Sequence, residues 1–309
     1  MKKQHKAVLR GLLAYLPFIR HQEPKHSSSA RYCYTVWMRH LVMAHKNNLP
    51  SNPEIVAELG PGASIGTGIA ALISGAEKYY AFDVEKYASI EKNIVVFDEM
   101  VELFRQKSDL PGEEEFSKIK PYLDNYKFPC HILTSQRLEK SLDKERLEKI
   151  KYSILNPEAE DSVIKYFAPW ESPDLIQENT VDMIFSQAVL EHVDALHSIY
   201  KTQFSWLKPG GFISHRIDLK CHGTHEEWDG HRTFSDLMWK VMRGKRSYSL
   251  NREPCSRHIF LINESGLRLV VDKKDYVESC LDKKYYSKRF KDLSGDDMMI
   301  SGVFLQAQK

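Results

Sequence analysis

Three features are scarce in this 309-residue sequence, and each scarcity excludes a class of protein. No apolar run approaches the length of a bilayer-spanning helix, so the sequence predicts no transmembrane segment. Five cysteines occur without a Cys-x-x-Cys pair, which predicts reduced thiols and a cytoplasmic location. Neither sign of charge prevails, with 44 basic and 42 acidic residues, and basic and aromatic residues do not alternate. We therefore expect a globular protein that binds no nucleic acid.

The most informative stretch is a glycine-rich turn after a short apolar run. Residues 54–59 suggest a buried strand, Gly60 and Gly62 open the turn, and residues 69–73 continue as a helix. Glycine permits positive φ and a close approach to a ligand, and the start of the helix offers unpaired amides. Asp83 ends the next apolar run about twenty residues later, where a carboxylate accepts both hydroxyls of an adenosine ribose. The pattern predicts a nucleoside cofactor.

The glycines alone leave two cofactor classes open. Gly62, Gly66 and Gly68 also match the glycine spacing of short-chain dehydrogenases, which would make the protein a nicotinamide enzyme. Those enzymes carry a catalytic Tyr-x-x-x-Lys, and none of the fifteen tyrosines is followed by lysine at that spacing. The strict G-x-G-x-x-G fingerprint also fails, because Ile65 occupies its third glycine position. Glu58, two residues before the turn, is typical of S-adenosylmethionine (SAM) sites.

Two later stretches complete a set of four motifs. Residues 180–193 (T-V-D-M-I-F-S-Q-A-V-L-E-H-V) indicate a strand, a turn and a helix, and residues 206–214 place L-K-P-G-G before another strand. With the turn and Asp83, these motifs resemble those of class I SAM-dependent methyltransferases over about residues 54–305. The resemblance implies an α/β enzyme with a Rossmann-like, seven-stranded, mostly parallel sheet and helices on both faces. It also implies SAM as cofactor, S-adenosyl-L-homocysteine as product, and a final antiparallel strand at 299–305.

The same resemblance implies which residues bind the cofactor. They lie in the turn and after the second, third and fourth strands: Glu58, Gly60, Pro61, Gly62, Ser64, Asp83, Trp170, Ser186 and Gln187. Many enzymes of this class have an acid directly after the third strand, whereas here residues 163–167 are followed by Ala168, Pro169 and Trp170. Trp170 either stacks on the adenine base or caps the core.

The spacing of the motifs predicts additions to a minimal fold. Residues 1–50 form an N-terminal helical extension and residues 51–309 the methyltransferase domain, with a substrate region at about 215–260. The chain between Asp83 and the third strand is much longer than one crossover helix requires, which predicts a helical insertion over about 92–155. Its helices are expected at residues 92–107, 116–126 and 141–150. The insertion forms either a lid or a dimer surface, so a homodimer stays open.

The first fifty residues allow three interpretations. Basic residues precede an apolar stretch at 11–19, as in a signal peptide, but Pro17 and Arg20 interrupt the pattern. The same adjacency of basic and apolar residues suits peripheral contact with a membrane surface. We favour a helix packed on the catalytic domain, because residues 34–45 have helical apolar spacing. Three side chains near it are then expected to line the cofactor site: Tyr32, Trp37 and Arg39.

The candidate chemistry lies in a histidine-rich segment after the fifth strand, within residues 214–234. Ligands of open α/β sheets bind beyond the carboxyl ends of the strands, where this segment begins. A hydroxyl acceptor needs a base, and histidine beside a carboxylate suits that role near neutral pH. The candidates for the base and its partners are His215, Asp218, His222 and His231. Arg216 and Arg232 are available to hold an anionic substrate.

Two other interpretations of these side chains stay open. A metal site would draw on Asp218, His222, His225 and Asp229, but their spacing matches no known zinc pattern, and we predict no metal. Alternatively, the histidines only bond the backbone of a long loop. Glu191 and His192 of the L-E-H motif are likewise expected to shape a helix start rather than to remove a proton.

Four segments carry a narrower resemblance: E-L-G-P-G-x-S-x-G-T-G, S-Q-A-V-L-E-H-V, H-R-I-D-L-K-x-H-G and N-R-E-P. Together they resemble a bacterial group of methyltransferases associated with surface polysaccharide and glycan synthesis. This resemblance implies a small-molecule or glycan-type acceptor and, most simply, O-methylation of a sugar hydroxyl. An N-methyltransferase, another SAM-fold transferase and a non-catalytic SAM-binding protein stay open.

Overall fold

A computed structural model describes residues 3–15, 29–170, 172–246, 249–279 and 281–309. Seven strands form one sheet: β1 Ile55–Leu59, β2 Lys78–Phe82, β3 Ile164–Phe167, β4 Val181–Gln187, β5 Leu207–Asp218, β6 Arg268–Tyr276 and β7 Ile300–Gln308. Their order is β3-β2-β1-β4-β5-β7-β6, and β7 runs antiparallel to both of its neighbours while the β1–β5 pairs are parallel. The predicted fold class and the antiparallel final strand are confirmed.

Helices cover both faces of the sheet. The helices of the described residues are α1 Lys3–Leu13, α2 Ala30–Lys46, α3 Gly66–Ile73, α4 Ile90–Arg105, α5 Ser135–Ser141, α6 Lys144–Leu155, α7 Leu196–Trp206, α8 Asp236–Arg243, α9 Cys255–Glu264 and α10 Gly295–Met299. On one face α2, α3, α4 and α6 contact one another, and on the other α7 packs with α9. Each face buries its own apolar cluster. The carboxyl ends of β1 to β5 therefore meet at one open edge of the sheet.

Helix α3 is buried along its whole length, because it lies between the sheet and the helices α2 and α4. Two of its glycines serve this packing. A Cβ atom on Gly68 would lie 2.0 Å from the ring of Tyr79, and one on Gly66 would lie 2.6 Å from Cys33 Sγ. The glycine spacing that resembles a dehydrogenase turn therefore has a packing cause at these two positions.

The insertion differs from its prediction in two segments, one of which is α5 Ser135–Ser141, where no helix was predicted. The first and third expected helices are present as α4 and α6, but residues 116–126 form turns and bends, so the helix predicted there is wrong. The buried guanidinium of Arg39 donates to the carbonyls of Ile119 at 3.1 Å and Pro121 at 2.7 Å. Arg39 also donates to Pro111 at 3.1 Å. These carbonyls bond a distant side chain instead of helical amides, which favours a loop.

Helix α1 packs on α8 over a small apolar cluster. The remainder of the predicted apolar stretch, from residue 16 onward with Pro17 and Arg20, lies outside the described residues. Within the described ranges, every helix is too short or too polar to cross a bilayer.

Candidate active site

The glycine turn and the acid of β2 meet at the open edge of the sheet. Gly60 and Gly62 adopt φ angles of +67° and +73°, which glycine tolerates without strain. The amide of Gly62 donates to Asp83 Oδ2 at 3.1 Å, and the amide of Val84 donates to Oδ1 at 2.8 Å. Burial raises the pKa of Asp83, although these backbone amides oppose the shift. The structure thus brings together two features that the sequence gives twenty-one residues apart.

Glu58 lies behind this turn. Its side chain is buried at 3% exposure and accepts a 2.5 Å hydrogen bond from the hydroxyl of Tyr79. Burial raises the pKa of Glu58 to about 8, opposed by hydrogen bonds from Tyr79, Thr67 and the amide of Gly68. Glu58 therefore ties β1 to β2 and to the start of α3, and it supports the turn from the inside.

The rest of the turn is fixed by side-chain caps. Pro61 is buried between the two glycines. Ser64 Oγ accepts from the amide of Gly66 at 3.2 Å, and Asn93 of α4 accepts from the amide of Ile65 at 3.1 Å. These bonds use amides at the entrance of α3 that the helix itself leaves unpaired. Ser64 thus shapes the turn with its side chain.

Trp170 extends the edge beyond β3. Its backbone amide donates to the carbonyl of Asp83 at 3.0 Å, which places the two residues side by side. The half-buried indole packs against Phe82 and Trp206, with ring centroids 5.3 and 5.5 Å away. Of the two roles weighed for Trp170, the observed contacts are those of a core cap.

Ser186 and His215 form a buried pair, and in the strand register Ser186 lies opposite Leu59, the residue before the glycine turn. Ser186 Oγ lies 2.8 Å from His215 Nδ1, and His215 Nε2 lies 2.7 Å from Gln203 Oε1 of α7. Both side chains are fully buried, and burial lowers the pKa of His215 to about 3. Side chains alternate along β5, so residue 215 points to the α7 face while its neighbours 216 and 218 point to the opposite face. The structure does not bring His215 together with the other candidate histidines.

Gln187 ends β4 beside Arg216 in the strand register. Gln187 is half-buried and lies beside the buried imidazole of His40, whose lowered pKa it partly offsets. Arg216 pairs with Asp275 at 2.6 Å, and its Nη1 atom has no partner among the described residues. Arg216 thus keeps bonding capacity at the edge of the sheet.

Asp218 and His222 form the base candidate. His222 Nε2 lies 3.3 Å from Asp218 Oδ2, and the imidazole is 38% exposed. Burial lowers the pKa of His222, but the hydrogen bond and charge of Asp218 outweigh it, so the net pKa is raised. The ring of His192 packs 5.2 Å from the ring of His222. The pair leaves Nδ1 of His222 as the nitrogen that can accept a proton.

Glu191 is the residue that sequence reasoning set aside. Its side chain is 1% exposed. Among the described residues, no donor lies at the distance and angle of an ordinary hydrogen bond to either carboxylate oxygen. Burial raises its pKa to about 8, partly offset by nearby backbone amides and by His222. Glu191 lines one cavity with Asp218, His231 and Arg252. It is a buried acid with open bonding capacity beside the base candidate.

Asn251 of the N-R-E-P segment holds the turn that carries Glu191. Its side-chain amide donates to the carbonyls of Leu190 at 2.8 Å and Val193 at 2.7 Å, and its backbone amide donates to the carbonyl of Glu191 at 2.7 Å. Three bonds from one residue give this short turn a fixed shape. The two quoted segments, L-E-H and N-R-E-P, were the signal that could have identified Glu191.

His231 and Arg232 belong to the wall of that cavity. His231 is buried, and burial together with Arg232 and Arg252 holds its pKa well below the usual range. Arg232 donates to the carbonyls of Met298 at 2.7 Å and Asp297 at 2.9 Å, so its guanidinium is already engaged. Of the two arginines proposed for an anionic substrate, Arg216 keeps an open N–H group and Arg232 braces the loop.

The four side chains of the metal alternative bond elsewhere or in pairs. His225 Nδ1 accepts from the amide of Glu227 at 3.0 Å, and Asp229 Oδ2 accepts from Ser279 at 2.6 Å and Tyr286 at 3.0 Å. Across the ranges that the structure describes, no three His, Cys, Asp or Glu side chains are grouped to hold a metal ion.

Of the three α2 side chains expected to line the cofactor site, Tyr32 lies near Glu58 and Glu191. Burial raises its pKa, followed by the charges of nearby groups that include Glu58 and Glu191. Trp37 instead donates its indole N–H to Ser74 at 2.9 Å in the core, and Arg39 holds the insertion.

No family model matches the chain, and no curated protein matches its sequence. Among solved structures, a putative sarcosine dimethylglycine methyltransferase from Galdieria sulphuraria is 10% identical with a TM-score of 0.45, covering 88% of this chain and 84% of its own. A putative SAM-dependent methyltransferase from Listeria monocytogenes is 12% identical with a TM-score of 0.42, covering 90% and 97%. One from Mesorhizobium loti is 12% identical with a TM-score of 0.41, covering 87% and 98%.

Proposed function

We propose that the protein is a SAM-dependent methyltransferase. The observation that carries this proposal is the 3.1 Å contact between the Gly62 amide and Asp83 at the carboxyl ends of β1 and β2. This position pairs a backbone that can approach a ligand closely with a carboxylate for ribose hydroxyls. SAM, when bound, supplies an electrophilic methyl group. Gly60, Gly62 and Asp83 would hold it, with Glu58 and Ser64 fixing the turn.

We further propose O-methylation of a small-molecule or glycan-type acceptor. Asp218 accepts a hydrogen bond from the Nε2–H group of His222. The unprotonated Nδ1 atom is then the one that takes the proton of an acceptor hydroxyl. The partly exposed imidazolium then passes that proton to solvent. Glu191 lines a small cavity of about 10 Å³ with Asp218, and a second hydroxyl of the acceptor would bond its carboxyl there, which favours a polyol such as a sugar. The fold contributes by holding donor and acceptor in line.

Calorimetric titration with SAM, S-adenosylhomocysteine and NADH tests the cofactor. We expect the wild type to bind both adenosyl ligands and not NADH, and Asp83→Ala to lose that binding. Asp161→Ala, which removes an exposed acid before β3, is the matched control and should bind as the wild type does. Binding of NADH alone would show that the glycine turn is a nicotinamide site like that of the dehydrogenases.

A screen of sugar nucleotides and amines with radiolabelled SAM tests the acceptor. Labelled methyl on a sugar hydroxyl supports the proposal. Labelled methyl on nitrogen, with a rate that survives loss of His222, supports the N-methyltransferase alternative, because an amine needs a pocket more than a base. The proposed cytoplasmic location follows from the supply of SAM.

A further inference from the structure

Two helices on one side of the molecule present apolar side chains to solvent. We define the α1–α8 face as residues 3–15 together with residues 236–246. Its exposed large apolar side chains are Leu9, Leu12, Tyr15, Leu237 and Met238. Leu237 is 74% exposed, more than any other large hydrophobic residue in the described ranges. A cluster of this kind marks an interaction surface.

These side chains are not needed by the core beneath them. Ala7, Trp239, Met242 and Leu250 are buried between the two helices and the rest of the chain. A Cβ atom on Gly11 would lie 2.0 Å from the carbonyl of Val241, so the helices pack in direct backbone contact. The pair is thus a close-packed unit whose buried cluster does not include Leu9, Leu12, Leu237 or Met238, while the Tyr15 ring lies 5.6 Å from Lys245 Nζ.

The same face is strongly basic. Residues 3–15 and 236–246 contain seven lysines and arginines against one acid, whereas the whole chain has 44 basic and 42 acidic residues. The acid, Asp236, is already paired with Arg252. Lys3 and Arg243 bond Glu226 and Asp194. The exposed cations that remain are Lys6, Arg10, Lys240 and Lys245.

We propose that the α1–α8 face binds an anionic lipid surface. Exposed leucines and a methionine beside lysines and arginines form the pattern of a helix that lies in the lipid interface, where apolar side chains enter the acyl boundary and cations meet anionic headgroups. A nucleic acid would use the cations but not the exposed leucines. The proposal does not depend on the methyltransferase assignment.

The position of the face gives this binding a consequence. Glu226, bonded to Lys3, belongs to the loop that follows His222, and Asp194, bonded to Arg243, follows His192. Binding to lipid through this face therefore brings the two loops that contain Glu226 and Asp194 close to the membrane surface.

Flotation of the full chain with unilamellar vesicles tests the proposal. We expect binding to vesicles of phosphatidylglycerol and phosphatidylcholine, no binding to phosphatidylcholine alone, and release by salt because exposed charges are screened. Leu12→Ser with Leu237→Ser, and separately Lys240→Glu with Lys245→Glu, should each lower vesicle partitioning about tenfold or more.

The matched controls alter exposed residues elsewhere. Val95→Ser with Phe260→Ser and Lys284→Glu with Lys288→Glu should partition as the wild type does. Thermal unfolding of every variant identifies those that have lost their fold, and a single Leu237→Ser variant then replaces the double one. Absence of wild-type binding, equal binding to neutral vesicles, or wild-type binding by both face variants overturns the proposal. So does a dimer that dissociates in Leu237→Ser, because a second copy would then be the occupant.

Discussion

The proposed cofactor side and the proposed acceptor side of the strand edge hold their buried acids differently. Glu58 and Glu191 are 3% and 1% exposed, and burial raises the pKa of each to about 8. Glu58 is bonded by Tyr79 and supports a turn whose amide already meets Asp83. Glu191 has oxygens without ordinary partners in the described chain, beside a His222–Asp218 contact of 3.3 Å.

This difference separates an acid that stabilises the fold, Glu58, from an acid that we propose binds a ligand, Glu191. A buried carboxyl with a permanent partner contributes to the fold, whereas a buried carboxyl without one costs stability until a ligand bonds it. We infer that the cofactor half is organised before binding and that the acceptor half is completed by its substrate. Four predictions test that comparison.

The largest effect is expected at His222. His222→Ala should lower kcat by about 10²–10⁴-fold, because the acceptor hydroxyl loses its base, with S-adenosylhomocysteine affinity unchanged. Steady-state rates at saturating SAM, with calorimetry, measure both. His225→Ala in the same loop is the control and should retain most of the rate. A His222→Ala enzyme with the kcat of the wild type would show that His222 is not the base.

On the cofactor side, Tyr79→Phe should lower the free energy of unfolding by about 1–3 kcal/mol, because Glu58 stays buried without its hydroxyl partner. Urea unfolding measures this. Tyr166→Phe is the matched control, since that hydroxyl bonds the carbonyl of Glu85 near the surface at 3.3 Å. Equal stability of the two variants would contradict the supporting role of Glu58.

Substitution by glutamine should change the free energy of unfolding differently at the two buried glutamates. The folded pKa of Glu191, about 8, exceeds its ordinary value of 4.5, so its contribution to stability is complete below pH 4.5 and is lost as the pH rises through 8. Glu191→Gln should therefore raise the free energy of unfolding at pH 8 by about 1–3 kcal/mol. Burial raises the pKa of Glu58 to about 8 as well, so Glu58→Gln gains the same relief at pH 8. However, one of the two oxygens that accept from Tyr79 and Gly68 becomes an NH₂ group, and this variant should be less stable than Glu191→Gln at both pH values. Unfolding curves at pH 5 and pH 8 would contradict this if both variants behaved alike.

The smallest effect concerns the pH dependence of the rate. Asp218 holds the pKa of His222 up, and the base form of His222 exists above that pKa. Asp218→Asn should therefore move the acidic limb of the kcat profile toward lower pH while the rate falls. A limb that stays in place would show that another group titrates. Asp229→Asn, which contacts Ser279 and Tyr286, is the control.

Local patterns were sufficient for much of the fold and for the contact between the glycine turn and Asp83. The β1 strand, its turn and the acid after β2 depend on glycine φ angles and strand ends, and the structure places them together. The final strand followed from the family resemblance and is present as β7, antiparallel to both of its neighbours.

Features set by distant partners were not predicted. The loop at 116–126 has helical apolar spacing, but Arg39 bonds its carbonyls from 80 and 82 residues away. His215 and Asp218 are close in sequence, yet strand alternation turns His215 toward Gln203. That alternation was present in the sequence and could have separated His215 from Asp218, its intended partner. Glu191 is different, because its importance lies in partners that the described chain does not provide.

The contact between Gly68 and Tyr79 has a consequence for sequence variation. A Cβ atom at position 68 would collide with the Tyr79 ring. The Tyr79 hydroxyl therefore reaches Glu58 only because residue 68 has no side chain. A lineage can enlarge residue 68 only after it has shortened residue 79, and the acid at position 58 then loses its partner. We expect positions 58, 68 and 79 to covary. Gly68 resembles part of a cofactor fingerprint, but it is required by the size of the Tyr79 side chain on the neighbouring strand.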